Sequence, residues 1–153
     1  MSPEIAEIYG NKVRLRVCGL CWQGESLLMI KHKMGNRGFW APPGGGVEYT
    51  ERLEDALKRE FLEETGLQIV VEKFLFGCEF IKNPLHAVEL FFDVRAVTGI
   101  LKSGYDPELQ LIESAQFLSP VDLLTIPDES MHGIINQCKD LTSLRQLSGF
   151  YSI

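Results

Sequence analysis

Apolar positions along the chain fall into short β-like runs, interrupted once by a stretch of helical period. Val13 to Trp22 and Ser26 to Lys33 are rich in apolar and β-favouring residues and flank the turn Gln23-Gly24-Glu25, which predicts a hairpin. Met34 to Gly46 carries Gly35, Asn36, Gly38, Pro42, Pro43 and three consecutive glycines, and reads as loop. The period then changes. Leu53, Ala56 and Leu57 fall on one side of a helix. Thr50 is placed to cap it, with Glu51, Glu54 and Asp55 near its positive end and Gly66 as its stop. Gln68 to Ile81 and His86 to Thr98 read as two longer strands joined around Asn83-Pro84. A polar loop from Lys102 to Glu108, a short strand from Ala115 to Leu118, a helical turn from Pro120 to Leu124 and a C-terminal helix from Ser130 to Leu147 complete the reading. Strand and helix do not alternate strictly. The order therefore predicts an α/β fold, a mixed sheet with helices on both faces, and not a doubly wound parallel sheet.

The central helix breaks the burial rule. Glu60, Glu63 and Glu64 continue the stripe begun by Leu53, Ala56 and Leu57, while Lys58, Asp55 and Glu54 take the opposite side. Carboxylates three and four residues apart are neighbours and repel one another, and burying them unpaired is costly. Two readings explain the trio: a solvated acidic patch where the stripe leaves the core, or a hard cation held by oxygen ligands. Gly44, Gly45 and Gly46 favour the second, because glycines ahead of a helix let backbone approach a ligand closely.

Composition narrows the partners. The 153 residues fit one domain over 1–153, with 1–12 as an N-terminal extension. A net charge of -6 argues against coating a nucleic acid polymer. It leaves small phosphorylated substrates open, because a divalent cation recruits them locally. Cys18 and Cys21 form a lone C-x-x-C on a predicted strand, where residues three apart face opposite ways, so they read as core thiols in a reducing compartment. No apolar stretch is long enough to cross a membrane or make a signal peptide, and the expected location is the cytoplasm.

The segment GGVEYTERLEDALKREFLEETGL, Gly45 to Leu67, resembles the signature box of the Nudix hydrolase family, G-x5-E-x7-R-E-U-x-E-E-x-G-U with U a bulky apolar residue. Gly45, Glu51, Arg59, Glu60, Phe61, Glu63, Glu64, Gly66 and Leu67 fill its required positions, and Trp40 and Pro43 precede it as in the wider pattern. Pro42 stands where the family usually has leucine, a departure expected to alter loop packing and not chemistry. The resemblance implies an α/β/α sandwich around a central mixed sheet. It implies hydrolysis of a nucleoside diphosphate linked to a moiety X, assisted by Mg2+ with Mn2+ as a substitute. It further implies Glu60 and Glu64 as main metal ligands, Glu63 as an additional ligand or water-activating base, and the Gly44 carbonyl as a ligand. Arg59 and Glu51 are expected to pair and fix loop to helix; the oligomeric state is not readable from the sequence, and a homodimer enters only by analogy with the family, where dimers are frequent.

Outside the box, a late acidic residue is expected to assist. Asp106, Glu108 and Glu113 are candidates, and Glu108 is the choice. Lys31 and Lys33 share a strand face with Arg37 just beyond, and are candidates for meeting substrate phosphates; an edge strand's surface lysines are the plainer reading. Phe39 and Trp40 are expected to pack under the glycine loop. His32, His86 and His132 show no partner pattern and are expected in surface or packing roles. ADP-ribose or another ADP-sugar is the first substrate choice. The alternatives are clean-up of oxidised nucleoside triphosphates and a nucleotide-sensing module that does not cleave.

Overall fold

The computed structural model describes residues 3–102, 111–138 and 140–153. In chain order the elements are α1 (Pro3–Tyr9), β1 (Lys12–Gln23), β2 (Ser26–Met34), β3 (Arg37–Ala41), β4 (Gly44–Gly46), α2 (Leu53–Thr65), β5 (Gln68–Lys82) and β6 (Leu85–Thr98). They are followed by β7 (Ile112–Leu118), α3 (Pro120–Leu124), a 3-10 turn (Asp128–Ser130), α4 (Gly133–Cys138), α5 (Leu141–Arg145) and β8 (Gly149–Ser152). The described strands form one mixed sheet in the order β3-β2-β1-β6-β5-β8, with β4 also on β1 and β7 also on β2. β1 and β6 run parallel, and β5 and β6 form a long antiparallel hairpin.

Helices cover both faces, as the sequence predicts. On one face Ala56, Leu57 and Phe61 of α2 pack on Val17, Cys21, Leu28 and Val94. On the other, Ile134, Ile135, Leu141 and Leu144 of α4 and α5 pack on Leu20, Leu27, Met29, Phe76 and Phe91. Cys18 belongs to the second core and Cys21 to the first, so the two thiols do point to opposite faces. A Cβ at Gly19 would lie 2.5 Å from the Phe61 ring, which shows how closely α2 presses on the sheet.

The β1–β2 hairpin is paired only at its turn, through Trp22↔Leu27 and Gln23↔Ser26. Beyond that the strands part. β4 takes the place beside β1, with Arg16↔Gly46, Val17↔Gly45 and Cys18↔Gly44. β2 lies between β3 and β7. The expected loop from Met34 to Gly46 therefore contains two strands. Its glycines and prolines disfavour a strand locally, but partners supplied by the rest of the sheet override that weak preference. β2 is consequently an interior strand, and Lys31 does not lie on an edge.

Other boundaries also moved. Thr50 has a left-handed φ of 69° and does not cap the helix; Arg52 stands at the N-cap and α2 begins at Leu53. Gly66 ends α2 as expected, in the left-handed region with its N–H bonded to the Leu62 carbonyl. The single helix expected over Ser130 to Leu147 is two short ones. Asp140 restarts the second, its side chain accepting the Ser143 N–H at 2.6 Å. α1 and β8 were not anticipated. Among the described residues no helix is long and apolar enough to cross a membrane.

Candidate functional site

The packing of α2 on the sheet sets the depth of its three glutamates. The helix rests on Ala56, Leu57 and Phe61, which leaves Glu64 buried and Glu60 and Glu63 half-buried at the mouth of the β1–β4 pair. The Gly44 N–H donates to Glu64 Oε1 at 2.8 Å. A Cβ on Gly45 would lie 2.3 Å from the Glu60 carboxyl carbon, so with the carboxylate in this position only a bare backbone fits against it. The glycine loop and the carboxylate helix thus form two walls in direct contact.

Arg59 fastens the walls together. Its Nε and Nη2 donate to the two oxygens of Glu51 at 2.8 and 2.9 Å, its Nη2 also reaches the Gly46 carbonyl at 3.1 Å, and its Nη1 donates to Glu60 at 2.9 Å. Glu63 lies 3.6 Å from the same guanidinium. The expected Arg59–Glu51 pair is present, as a bidentate fork. Hydrogen bonding from Arg59 holds Glu51 below the ordinary carboxylate range. Burial has the larger effect on Glu60 and raises it, although Arg59 opposes. Lysine cannot reproduce a fork with this many acceptors. Arg59→Lys is therefore expected to lower activity ~10–100-fold, the usual cost of losing a residue that orients site ligands. Turnover at the native level, with an unchanged melting curve, would show that the charge alone suffices.

The donor set suits a cation bound partly by protein. Among the described residues no three His, Cys, Asp or Glu side chains converge into a ready-made cage. Glu60 and Glu64 are instead engaged by Arg59 and by the loop backbone, with Glu63 beside them. Magnesium is usually held in this way, by a few carboxylates with water and substrate phosphates supplying the rest.

Of the remaining candidates, Lys31 is 3.4 Å from Glu113 and 5.9 Å from the Trp40 ring centroid, so it is tied to β7 and β3. Lys33 and Arg37 are exposed where β2 and β3 meet. Asp106 and Glu108 lie outside the described residues. Trp40 is half-buried against the α4–α5 core, and its carbonyl accepts the His132 N–H at 2.9 Å.

Sequence reasoning missed a second polar cluster. Glu89 of β6 is buried, and its oxygens accept from Arg16 Nε at 3.2 Å and meet His132 Nε2 at 2.7 Å. Cys18 Sγ also approaches it at 3.5 Å. His132 Nδ1 accepts the Ile134 N–H at 3.2 Å, which leaves Nε2 as the protonated nitrogen that donates to Glu89. Burial alone would raise the Glu89 carboxyl, but His132, Arg16 and Cys18 together hold it well below its usual range. Burial and the neighbouring Glu89 charge push the Cys18 thiol well up, so it stays protonated and inert. The signal for Glu89 was present: an acid in the apolar run Ala87 to Phe92, the same violation that exposed the helix trio.

Comparison with known proteins agrees with this architecture. A Nudix hydrolase from Nitrosomonas europaea superimposes with a TM-score of 0.70 at 21% identity, over 90% of this chain and 93% of that one. The chain is 37% identical over 94 residues to an ADP-ribose pyrophosphatase of Methanocaldococcus jannaschii, covering 59% of this chain and 55% of that protein. It is 56% identical over 64 residues to the nucleoside triphosphatase NudI of Escherichia fergusonii, covering 39% and 45%. The chain thus spans about half the length of these curated relatives. Residues 12–136, from the start of β1 to within α4, match the NUDIX domain, and with that extent of agreement the chain belongs to the NUDIX family.

Proposed function

We propose that this protein is a magnesium-dependent hydrolase that cleaves the phosphoanhydride of a nucleoside diphosphate linked to a further group. The observation that carries the reading is the contact between loop and helix: Gly44 bonded to Glu64, and Gly45 pressed against Glu60. Glu60 and Glu64, with Glu63 beside them and the Gly44 carbonyl, would hold the cation. When bound, the cation neutralises phosphate charge and lowers the pKa of its water. Glu63 is the least committed of the three carboxylates, being partly exposed and 3.6 Å from Arg59, and it is the one available to take a proton from attacking water. Arg59 is fully occupied in holding Glu51, Gly46 and Glu60, so its part is to orient the ligands.

ADP-ribose is the first substrate choice, supported by the name of the Methanocaldococcus relative. A nucleoside triphosphate is the second, supported by the higher local identity to NudI. Release of a nucleoside monophosphate with its partner product from a panel containing both, ribose 5-phosphate from ADP-ribose or pyrophosphate from a nucleoside triphosphate, measured with magnesium and then with EDTA, tests the reading. Turnover that EDTA abolishes is the expected result, and product identity separates the two substrates. Binding without turnover across the panel would replace the enzyme with a sensor on the same fold. A second expected result concerns the folded protein alone: magnesium should raise Tm, because a ligand bound only by the native state stabilises it.

A further inference from the structure

Arg16 is a second cation that borders the box, held from outside it. It sits on β1 opposite Gly46, two residues from the Cys18–Gly44 pair, so it borders the glycine loop directly. Only its Nε is used, in the bond to Glu89. Among the described residues its two terminal nitrogens have no hydrogen-bond partner, while its side chain stays 28% exposed. Arg16 lies on the strand face of Cys18 and Glu89, and its pairing partner Gly46 ends the short strand β4 whose Gly44 and Gly45 touch Glu64 and Glu60.

The support behind Arg16 is unusually complete. Glu89 is buried and takes donors from Arg16, His132 and Cys18, and His132 is itself fixed through Ile134 and Trp40. Among the described residues no buried side-chain polar atom lacks a partner. A satisfied network of this kind holds one geometry. Burying Glu89 and His132 merely to steady a surface arginine would bring the fold little. Holding a guanidinium by one edge, with the fork of its other edge uncommitted beside a cation site, is the arrangement that receives phosphate oxygens.

We infer that Arg16 binds a phosphoryl group of the substrate's diphosphate, and that Glu89 and His132 are the positioning residues that hold its guanidinium toward that group. The inference rests on the hydrolase reading for the identity of the ligand as a diphosphate. It separates Arg16 from Arg59, whose donors are consumed within the box. It also assigns to the α4-bearing face of the sheet a part in substrate binding, while α2 on the other face carries the acids.

Binding of α,β-methylene-ADP in the presence of magnesium, measured by calorimetry, tests this without turnover. Arg16→Met is expected to weaken binding ~10-fold or more, the loss typical of a charged hydrogen bond. Arg16→Lys should recover part of it. Glu89→Gln should weaken binding in the native background and have little further effect in the Arg16→Met background, a coupling that a purely structural Glu89 would not show. Thermal melts establish that each variant is folded. If Arg16→Met does not fold, Arg16→Lys decides, because lysine cannot hold Glu89 and a phosphate at once. Native affinity in the deciding variant overturns the inference, and so does failure of the native protein to bind the probe. Arg16-dependent binding without any turnover in the substrate panel would uphold the inference while removing the hydrolase reading.

Discussion

Glu64→Gln is expected to lower kcat by at least ~100-fold while leaving the fold intact, the scale of loss when a single group stabilising transition-state charge is removed. The substitution is nearly isosteric. Its amide oxygen can still accept the Gly44 N–H that now reaches Glu64 at 2.8 Å, so the contact between loop and helix survives. What disappears is the negative charge in the most buried position of the trio. Steady-state turnover of the best substrate, beside a melting curve and a magnesium titration of Tm, checks all three parts. Near-native turnover would remove Glu64 from the metal site.

Gly45→Ala is expected to separate activity from stability. The added Cβ would sit 2.3 Å from the Glu60 carboxyl carbon, and the atoms in its way are the far end of a flexible side chain. The carboxylate can swing aside at little cost to the fold, so the melting temperature should change modestly. Catalysis should not be spared if Glu60 holds the cation as proposed, because moving such an oxygen by about 1 Å can cost ~100-fold in rate. Shifting Glu60 also breaks its 2.9 Å bond from Arg59, which loosens the remaining anchor. Comparison of kcat with Tm in the same preparation is the measurement. A variant that loses stability and activity in parallel would mean that the loop backbone moved instead of the carboxylate.

The box was legible in the sequence because its acids violate an expectation that needs no structure. Glu60, Glu63 and Glu64 lie on the packed stripe, and Gly45 had to be bare for a reason. The Arg16–Glu89–His132 cluster was not read, for two physical reasons. Its members are far apart in sequence and meet only because β1 and β6 pair in parallel, with Arg16 opposite Glu89 in register. His132 joins them through the turn before α4, whose position depends on the bridge between Trp40 and Met131. The strands β3 and β4 were missed for a related reason: each is short, rich in glycine and proline or close to it, and stabilised by neighbours that local composition does not reveal. The long hairpin of β5 and β6 was read almost to the residue, since its apolar runs and its Asn83-Pro84 turn are local signals.

The fork between Arg59 and Glu51 has a consequence for the sequence of binding events. Three carboxylates of the box, Glu51, Glu60 and Glu63, surround that one guanidinium, and Glu64 adds a fourth negative charge from α2. Their summed field repels a polyphosphate until a divalent ion reverses its sign. Nucleotide without its cation should therefore be a poor visitor, and nucleotide in excess of cation should slow the reaction by sequestering the ion. With Arg59 kept busy within the wall, the proposed site would make admission of substrate conditional on the metal, so the residues proposed for the chemistry would also impose its order.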